Sequence, residues 1–166
     1  MSLLQNLLRE MIAYYTGDPK RIQHLIKVHS FARWIALEEG VDEPTRIVLE
    51  AAALVHDIGI KAAEEKYGAC DGKLQEQEGP ALAESMLNRL GFTESVARRV
   101  AYLVGRHHTY TDVDGMDCQI LLEADFLVNI YEDALSPEAA QAAVKNIFRT
   151  STGVWICKTM FGLSRP

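Results

Sequence analysis

Apolar side chains recur every three or four positions along most of the chain, the spacing of helices that each bury one stripe. Leu3, Leu4, Leu7, Leu8, Met11, Ile12 and Tyr15 form the first stripe, and Thr16-Gly17 ends it. Asp18 offers an N-cap with Pro19 at the first helical position, so a second helix is expected over 19–39, closed by Gly40 as a left-handed residue. Asp42 caps a third, which carries Ala51-Ala52-Ala53-Leu54-Val55 and stops at Gly59. Residues 60–79 are the least regular stretch. Gly68, Gly72, Gly79 and alternating charge predict at most a short helix over 62–66 within a long connection, a length typical of functional lids. Pro80 opens a fourth helix that closes at Gly91, and Thr93 caps a fifth that reaches His107. After the polar loop 109–115 a sixth runs through Ile120-Leu121-Leu122 and Phe126-Leu127-Val128, and Ser136-Pro137 starts a seventh over 137–149. The tail 154–166 holds Trp155 and Phe161 and is expected to dock in part on the core. Strand periodicity, repeats and linkers are not evident. The pattern predicts an all-α bundle of six to seven helices in a single domain, 1–166.

The 166 residues are 48 % hydrophobic and 24 % charged, enough for one sizeable core and unlike a disordered chain. A net charge of −6 argues against coating nucleic acid, but not against a small anionic substrate, because a bound metal would dominate the local field. Cys70, Cys118 and Cys157 are far apart and odd in number, which fits a reducing cytoplasm rather than a disulfide framework. No secretory signal or membrane span is expected.

Two acids stand in apolar runs. Asp57 lies between Ala51–Val55 and Ile58, and Asp125 between Ala124 and Phe126-Leu127-Val128. A buried carboxylate is costly unless compensated, and a cation shared between two helices would compensate both; pairing with an arginine, or capping a loop, is the plain alternative for either alone. His56 precedes Asp57 at the end of an apolar helix, so an imidazole and a carboxylate can face one point, a donor set suited to Fe, Mn, Zn, Co or Ni. His24 shares its helix face with Val28, Phe31, Ala32 and Ile35, as either a core histidine or a ligand. His29 is turned about 140° from it, on the surface or behind the site. His107-His108 either cap the fifth helix or complete a cluster.

The ordered set Arg21, His24, Val28, Ala32 (R-x-x-H-x-x-x-V-x-x-x-A), then His56-Asp57-Ile58-Gly59, then Arg106-His107-His108, then Glu123-Ala124-Asp125, resembles the HD superfamily over about 21–131. The helices at 3–15 and 137–149 and the tail would pack on that core. The resemblance implies an HD-domain fold that hydrolyses a phosphomonoester or phosphodiester, with His24, His56, Asp57 and Asp125 holding one divalent transition metal. Some members bind a second ion, bridged by the HD aspartate, with a later His pair that matches His107 and His108. The intermediate His of those members is absent here, and Glu78 or Glu76 stands in its region. Lys61 and the missing G-Y-P signature depart from the cyclic-dinucleotide phosphodiesterases. The chain is most similar to small bacterial members with H-D-I-G-I-K, a Y-G loop, Q-E-x-E-G-P and H-H-T-Y.

The mechanism so implied uses the metal to acidify a water that Asp57 orients. Lys61 and Arg106 would contact the phosphoryl oxygens, or be plain surface charges; His107 or His108 would protonate the leaving group. Tyr110 and Tyr67 would stack on a nucleobase or simply pack the loops. The expected partner is a small phosphate, such as a nucleotide, in the cytoplasm, with homodimerisation left open. Two rivals stand beside this reading: a di-iron HD-fold oxygenase, which requires a complete second site at Glu78, His107 and His108, and a non-catalytic nucleotide or metal sensor.

Overall fold

The computed structural model describes residues 2–163, and among these the chain is entirely helical. Nine helices follow in order: α1 (Leu3–Tyr14), α2 (Pro19–Glu38), α3 (Glu43–Val55), α4 (Gly59–Tyr67), α5 (Gly72–Leu90), α6 (Glu94–Val104), α7 (Met116–Glu132), α8 (Pro137–Asn146) and α9 (Ser151–Met160). Short polar side chains set most of the starts. Ser2, Asp18, Asp42, Asp71, Thr93, Ser136 and Thr150 each accept a hydrogen bond from a first-turn amide, and the Gln5 side chain accepts one from the Ser2 amide to complete a capping box.

The count exceeds the six to seven that periodicity predicts, and the excess lies in two places. Residues 60–79 hold no twenty-residue lid: α4 and α5 occupy all but a short turn around Gly68. Ala62, Ala63, Glu64, Glu65 and Lys66 are good helix formers. Asp71 caps α5 eight residues ahead of Gly79, so Gly79 and Pro80 lie inside that helix. The glycines there answer to packing. A Cβ on Gly79 would lie 2.6 Å from Val104 Cγ1, and one on Gly59 would lie 2.6 Å from the Gln75 carbonyl oxygen. The second difference is α9, where a docked tail was expected. Part of that tail, 164–166, lies outside the described residues. Trp155 on α9 stays half exposed, edge-on to Trp34 of α2.

Helix α7 runs through the middle. It packs on α2 and α3, which also pack on each other, while α4, α5 and α6 form the adjoining layer and α1 lies against α3 and α5. Buried side chains from α1, α2, α3 and from α5 through α9 join in one core. Helix α7 is apolar nearly all round yet buries three acids, and each meets a different partner. Asp117 takes a bidentate pair from Arg99 at 2.7 and 2.8 Å. Glu123 is closed off by Gln119 Nε2, the amides of Arg149 and Thr150, and the Thr150 hydroxyl, so it anchors the start of α9. Asp125 has neither an arginine nor a helix end; it faces imidazoles.

Candidate metal centre

Four elements meet around Asp125. His24 comes from the middle of α2, His56 from the C-cap of α3, Asp57 from the turn between α3 and α4, and His107 from the turn that follows α6. The turn carrying Asp57 is pinned from outside the cluster: Tyr15 Oη donates to the Asp57 carbonyl at 2.6 Å, and Tyr14 Oη donates to the Ile58 carbonyl at 3.1 Å.

Each imidazole has its far nitrogen committed. His56 Nδ1–H donates to the Ala53 carbonyl at 2.9 Å, and His107 Nδ1–H donates to the Val104 carbonyl at 2.7 Å. A carbonyl accepts only, so both Nδ1 atoms carry protons, and both Nε2 atoms present lone pairs whenever the rings are neutral. His24 Nδ1 faces Glu132 Oε2 at 2.9 Å. The three Nε2 atoms then converge on the carboxylates. His24 Nε2 lies 3.2 Å from Asp125 Oδ1, 3.5 Å from Asp57 Oδ2 and 3.2 Å from His56 Nε2. His56 Nε2 is 3.5 Å from both Asp57 Oδ1 and Asp125 Oδ1.

Donors bound at about 2.1 Å to one ion stand about 3.0 Å apart on an octahedral edge and about 3.4 Å on a tetrahedral one. The observed separations, 3.2 to 3.5 Å, run from inside that range to just beyond its tetrahedral end. Two nitrogens with inward lone pairs at 3.2 Å repel unless a proton or a cation lies between them. His107 Nε2 points the same way, 3.4 Å from Asp57 Oδ1, and is a buried side-chain atom without a hydrogen-bond partner among the described residues. A buried nitrogen with an inward, unengaged lone pair is suited to bind a cation. Two sets of donors can each hold an ion, His24–His56–Asp57 and Asp57–His107–His108, and Asp57 belongs to both. The residues present therefore fit a divalent metal.

Without an ion, protons hold the cluster together. Burial disfavours the His56 imidazolium, but Asp57 and Asp125 outweigh burial and raise its pKa to about 9. His24 shifts upward for the same reason, with the Asp125 hydrogen bond as the main raising influence. Burial pushes both carboxyls up, yet His56 and His107 pull Asp57 down to about 2, and His24 and His56 hold Asp125 below the usual carboxylate range.

The remaining candidates divide. His108 is at the centre's edge, its Nε2 3.0 Å from Gln75 Oε1. The Gln75 amide is oriented by donating from Nε2 to the Cys70 carbonyl at 2.7 Å, which leaves its oxygen to accept from His108. Glu76 accepts from the His108 amide and the Thr109 hydroxyl. Glu78 faces outward to Lys66 and Tyr67, so the structure does not bring it to the cluster. Lys61 lies over the Tyr14 ring in a neighbouring groove, and Arg106 donates to the Thr111 carbonyl beside Tyr102; neither lines the cleft above His24. His29 pairs with buried Glu50 away from the centre.

That cleft encloses about 580 Å³. Lys20 and Arg21 stand among its lining residues, as do Tyr110 and Phe126, whose rings meet edge-on. Sequence reasoning gave Gln75 no role beyond its place in the Q-E-x-E-G-P run, and passed over Lys20, Asn129 and Glu132. For the last two a signal existed: Asp125, Asn129 and Glu132 are spaced i, i+4, i+7, one polar face on an otherwise apolar helix.

Fold and cluster define a class of all-helical proteins built around a His/Asp centre suited to a divalent ion. The HD domain family profile matches residues 21–144, most of the chain, and the protein belongs to that family. It is also similar to a solved structure described as a predicted HD superfamily hydrolase from an uncultured Thermotogales bacterium, at 28 % identity and a TM-score of 0.65, covering 96 % of this chain and 83 % of that one. No curated protein matches the sequence significantly. No helix among the described residues is long and apolar enough to cross a membrane.

Proposed function

We propose that this protein is a metal-dependent hydrolase of a small phosphomonoester or phosphodiester, with His24, His56, Asp57 and Asp125 as ligands of a divalent transition metal. One observation carries the reading: three imidazoles with committed Nδ1 atoms turn their Nε2 atoms onto Asp57 and Asp125. The ion, when bound, supplies Lewis-acid stabilisation of phosphoryl charge and acidifies water. Asp57 accepts a hydrogen bond from the attacking water and orients it in line with the leaving oxygen. Lys20 contacts substrate anions from the cleft wall, the role that Lys61 and Arg106 had on sequence grounds, beside Arg21, whose guanidinium is held by Asp18 and Glu64. His108 stands at the cleft edge with Nε2–H donated to Gln75, and burial followed by the charge of His107 lowers its pKa, so the ring is neutral and offers Nδ1 as an acceptor or ligand. Tyr110 and Phe126 offer an aromatic wall to a base or sugar.

The donor set at Asp57, His107 and His108 favours a second ion. The oxygenase reading needs Glu78 in that set as well, and Glu78 faces away to Lys66 and Tyr67. One experiment separates the readings. The protein is reconstituted with Mn, Fe, Co, Ni or Zn, the ions per chain are counted, and phosphate release is followed on nucleotide and sugar-phosphate panels with and without a chelator. Chelator-sensitive phosphate release is expected. Two irons with oxygen-dependent turnover would favour the oxygenase, and a loaded but inactive protein the sensor.

Proton release gives an independent check. At pH 7 the metal-free protein carries a proton on His56, whose pKa is about 9. Metal uptake must eject it, so apparent affinity should rise with pH toward 9, by about tenfold per unit for each proton displaced. Titration calorimetry in two buffers of different ionisation enthalpy at pH 7 should show at least one proton released; equal heats in both would contradict this account.

A further inference from the structure

His24 differs from the other two imidazoles in what holds its far nitrogen. His56 and His107 each lean on a neutral carbonyl three residues back on their own chain segment. His24 Nδ1 instead meets a carboxylate on another helix, Glu132 Oε2 at 2.9 Å, seven residues past Asp125 on α7. The second oxygen of Glu132 takes Lys27 Nζ at 2.5 Å. Lys27 lies one turn beyond His24 on α2, so the carboxylate is gripped by two groups on one face of that helix. Burial raises the Glu132 carboxyl pKa, but the Lys27 and His24 bonds outweigh it and keep the group ionised. Its side chain is 11 % exposed, well shielded from competing water.

An inter-helix ion pair needs only Lys27 and Glu132. Aligning the free oxygen with His24 Nδ1, while His24 Nε2 lies 3.2 Å from Asp125 Oδ1, does something an ion pair does not require. A carboxylate on the far nitrogen of a ligand imidazole fixes the Nδ1–H tautomer, aims the Nε2 lone pair and makes the ring a stronger donor. Carbonyl partners also fix the tautomer and aim the ring, but being neutral they raise donor strength less.

We infer that Glu132 is the positioning residue for His24: it sets the tautomer and raises the donor strength of that ligand, and so sets the affinity of the ion shared with His56, Asp57 and Asp125. The inference rests on the metal reading of the site and deepens it.

The test compares wild type with Glu132→Ala, Glu132→Gln and Lys27→Met. Dissociation constants for Mn²⁺ and Zn²⁺ are read by competition with a fluorescent chelator, and Tm is read on the metal-free proteins. Glu132→Ala should weaken binding of both ions by about 10- to 100-fold. Glu132→Gln, which keeps an acceptor oxygen but loses the charge, should fall between it and wild type. Lys27→Met breaks the ion pair and leaves the carboxylate on His24. It should lower Tm, though by less than Glu132→Ala, which also loses the His24 bond, while changing metal affinity less than about threefold. Equal loss of affinity in Lys27→Met and Glu132→Ala, or unchanged affinity in Glu132→Ala, would make Glu132 a structural ion-pair partner and overturn the inference alone. A wild-type protein that binds neither ion would overturn the metal reading with it.

Discussion

Replacing Asp57 with alanine is expected to strip the protein of bound metal and to lower phosphate release on the order of 10³-fold or more, the scale seen when a group central to transition-state charge is removed. Its place in the cluster is the reason. Asp57 touches His24 and His56 on one side and His107 on the other, and it is the one residue common to both donor sets. Asp125 alone would then face His24 and His56, and the balance of two acids against the imidazoles would be lost. The Asp57 backbone carbonyl still accepts from Tyr15, so the turn itself should hold. Metal analysis and phosphate release on the same preparations check both halves. Metal content equal to wild type would remove Asp57 from the ligand set, and turnover lost with metal retained would leave it only the orientation of water.

Much of the architecture could be read because local signals and packing agree there. Asp18-Pro19 starts α2, Gly40 follows its end, and Asp42 starts α3, each by a side chain or backbone preference that acts within a few residues. Carboxylates in apolar runs were an equally local clue: Asp57 and Asp125 lie in one cluster, each facing imidazoles. The plain alternative for such acids also occurs on the same helix, in Asp117 with its arginine and Glu123 at its helix start. What misled was the double meaning of glycine. Gly79 looks like a break, but it lies against Val104 and helix α5 continues through it, while Gly72 lies against the His108 ring as the first residue of that helix. Contacts between residues far apart in sequence left no local trace. Gln75 reaches His108 across 33 positions and Tyr15 reaches Asp57 across 42, while Lys61, only four residues past Asp57, points to Tyr14 instead.

Gly59→Ala should lower metal-free stability by about 3 kcal/mol, the upper part of the range for overpacking. For a chain of this size that corresponds to a fall in Tm of about 6–12 °C. The added carbon would lie 2.6 Å from the Gln75 carbonyl oxygen, 2.9 Å from the Gly79 nitrogen and 3.1 Å from its Cα. All three atoms are backbone of α5, so no rotamer change relieves the contact, and α4 and α5 must move apart. Gly59 does not have a positive φ, so the whole cost is one of space. The movement would also disturb the centre. Gln75 orients His108, and Asp57 lies two residues before the contact, so the variant should bind metal less tightly even when folded. Gly17→Ala is the matching control: its φ is +86° and nothing lies within 4 Å of the added carbon, so only backbone strain of about 1–2 kcal/mol is expected, with metal affinity untouched. Thermal denaturation of both metal-free variants decides the matter. A Gly59→Ala protein no less stable than Gly17→Ala would mean that α4 and α5 do not cross as closely as the structure places them.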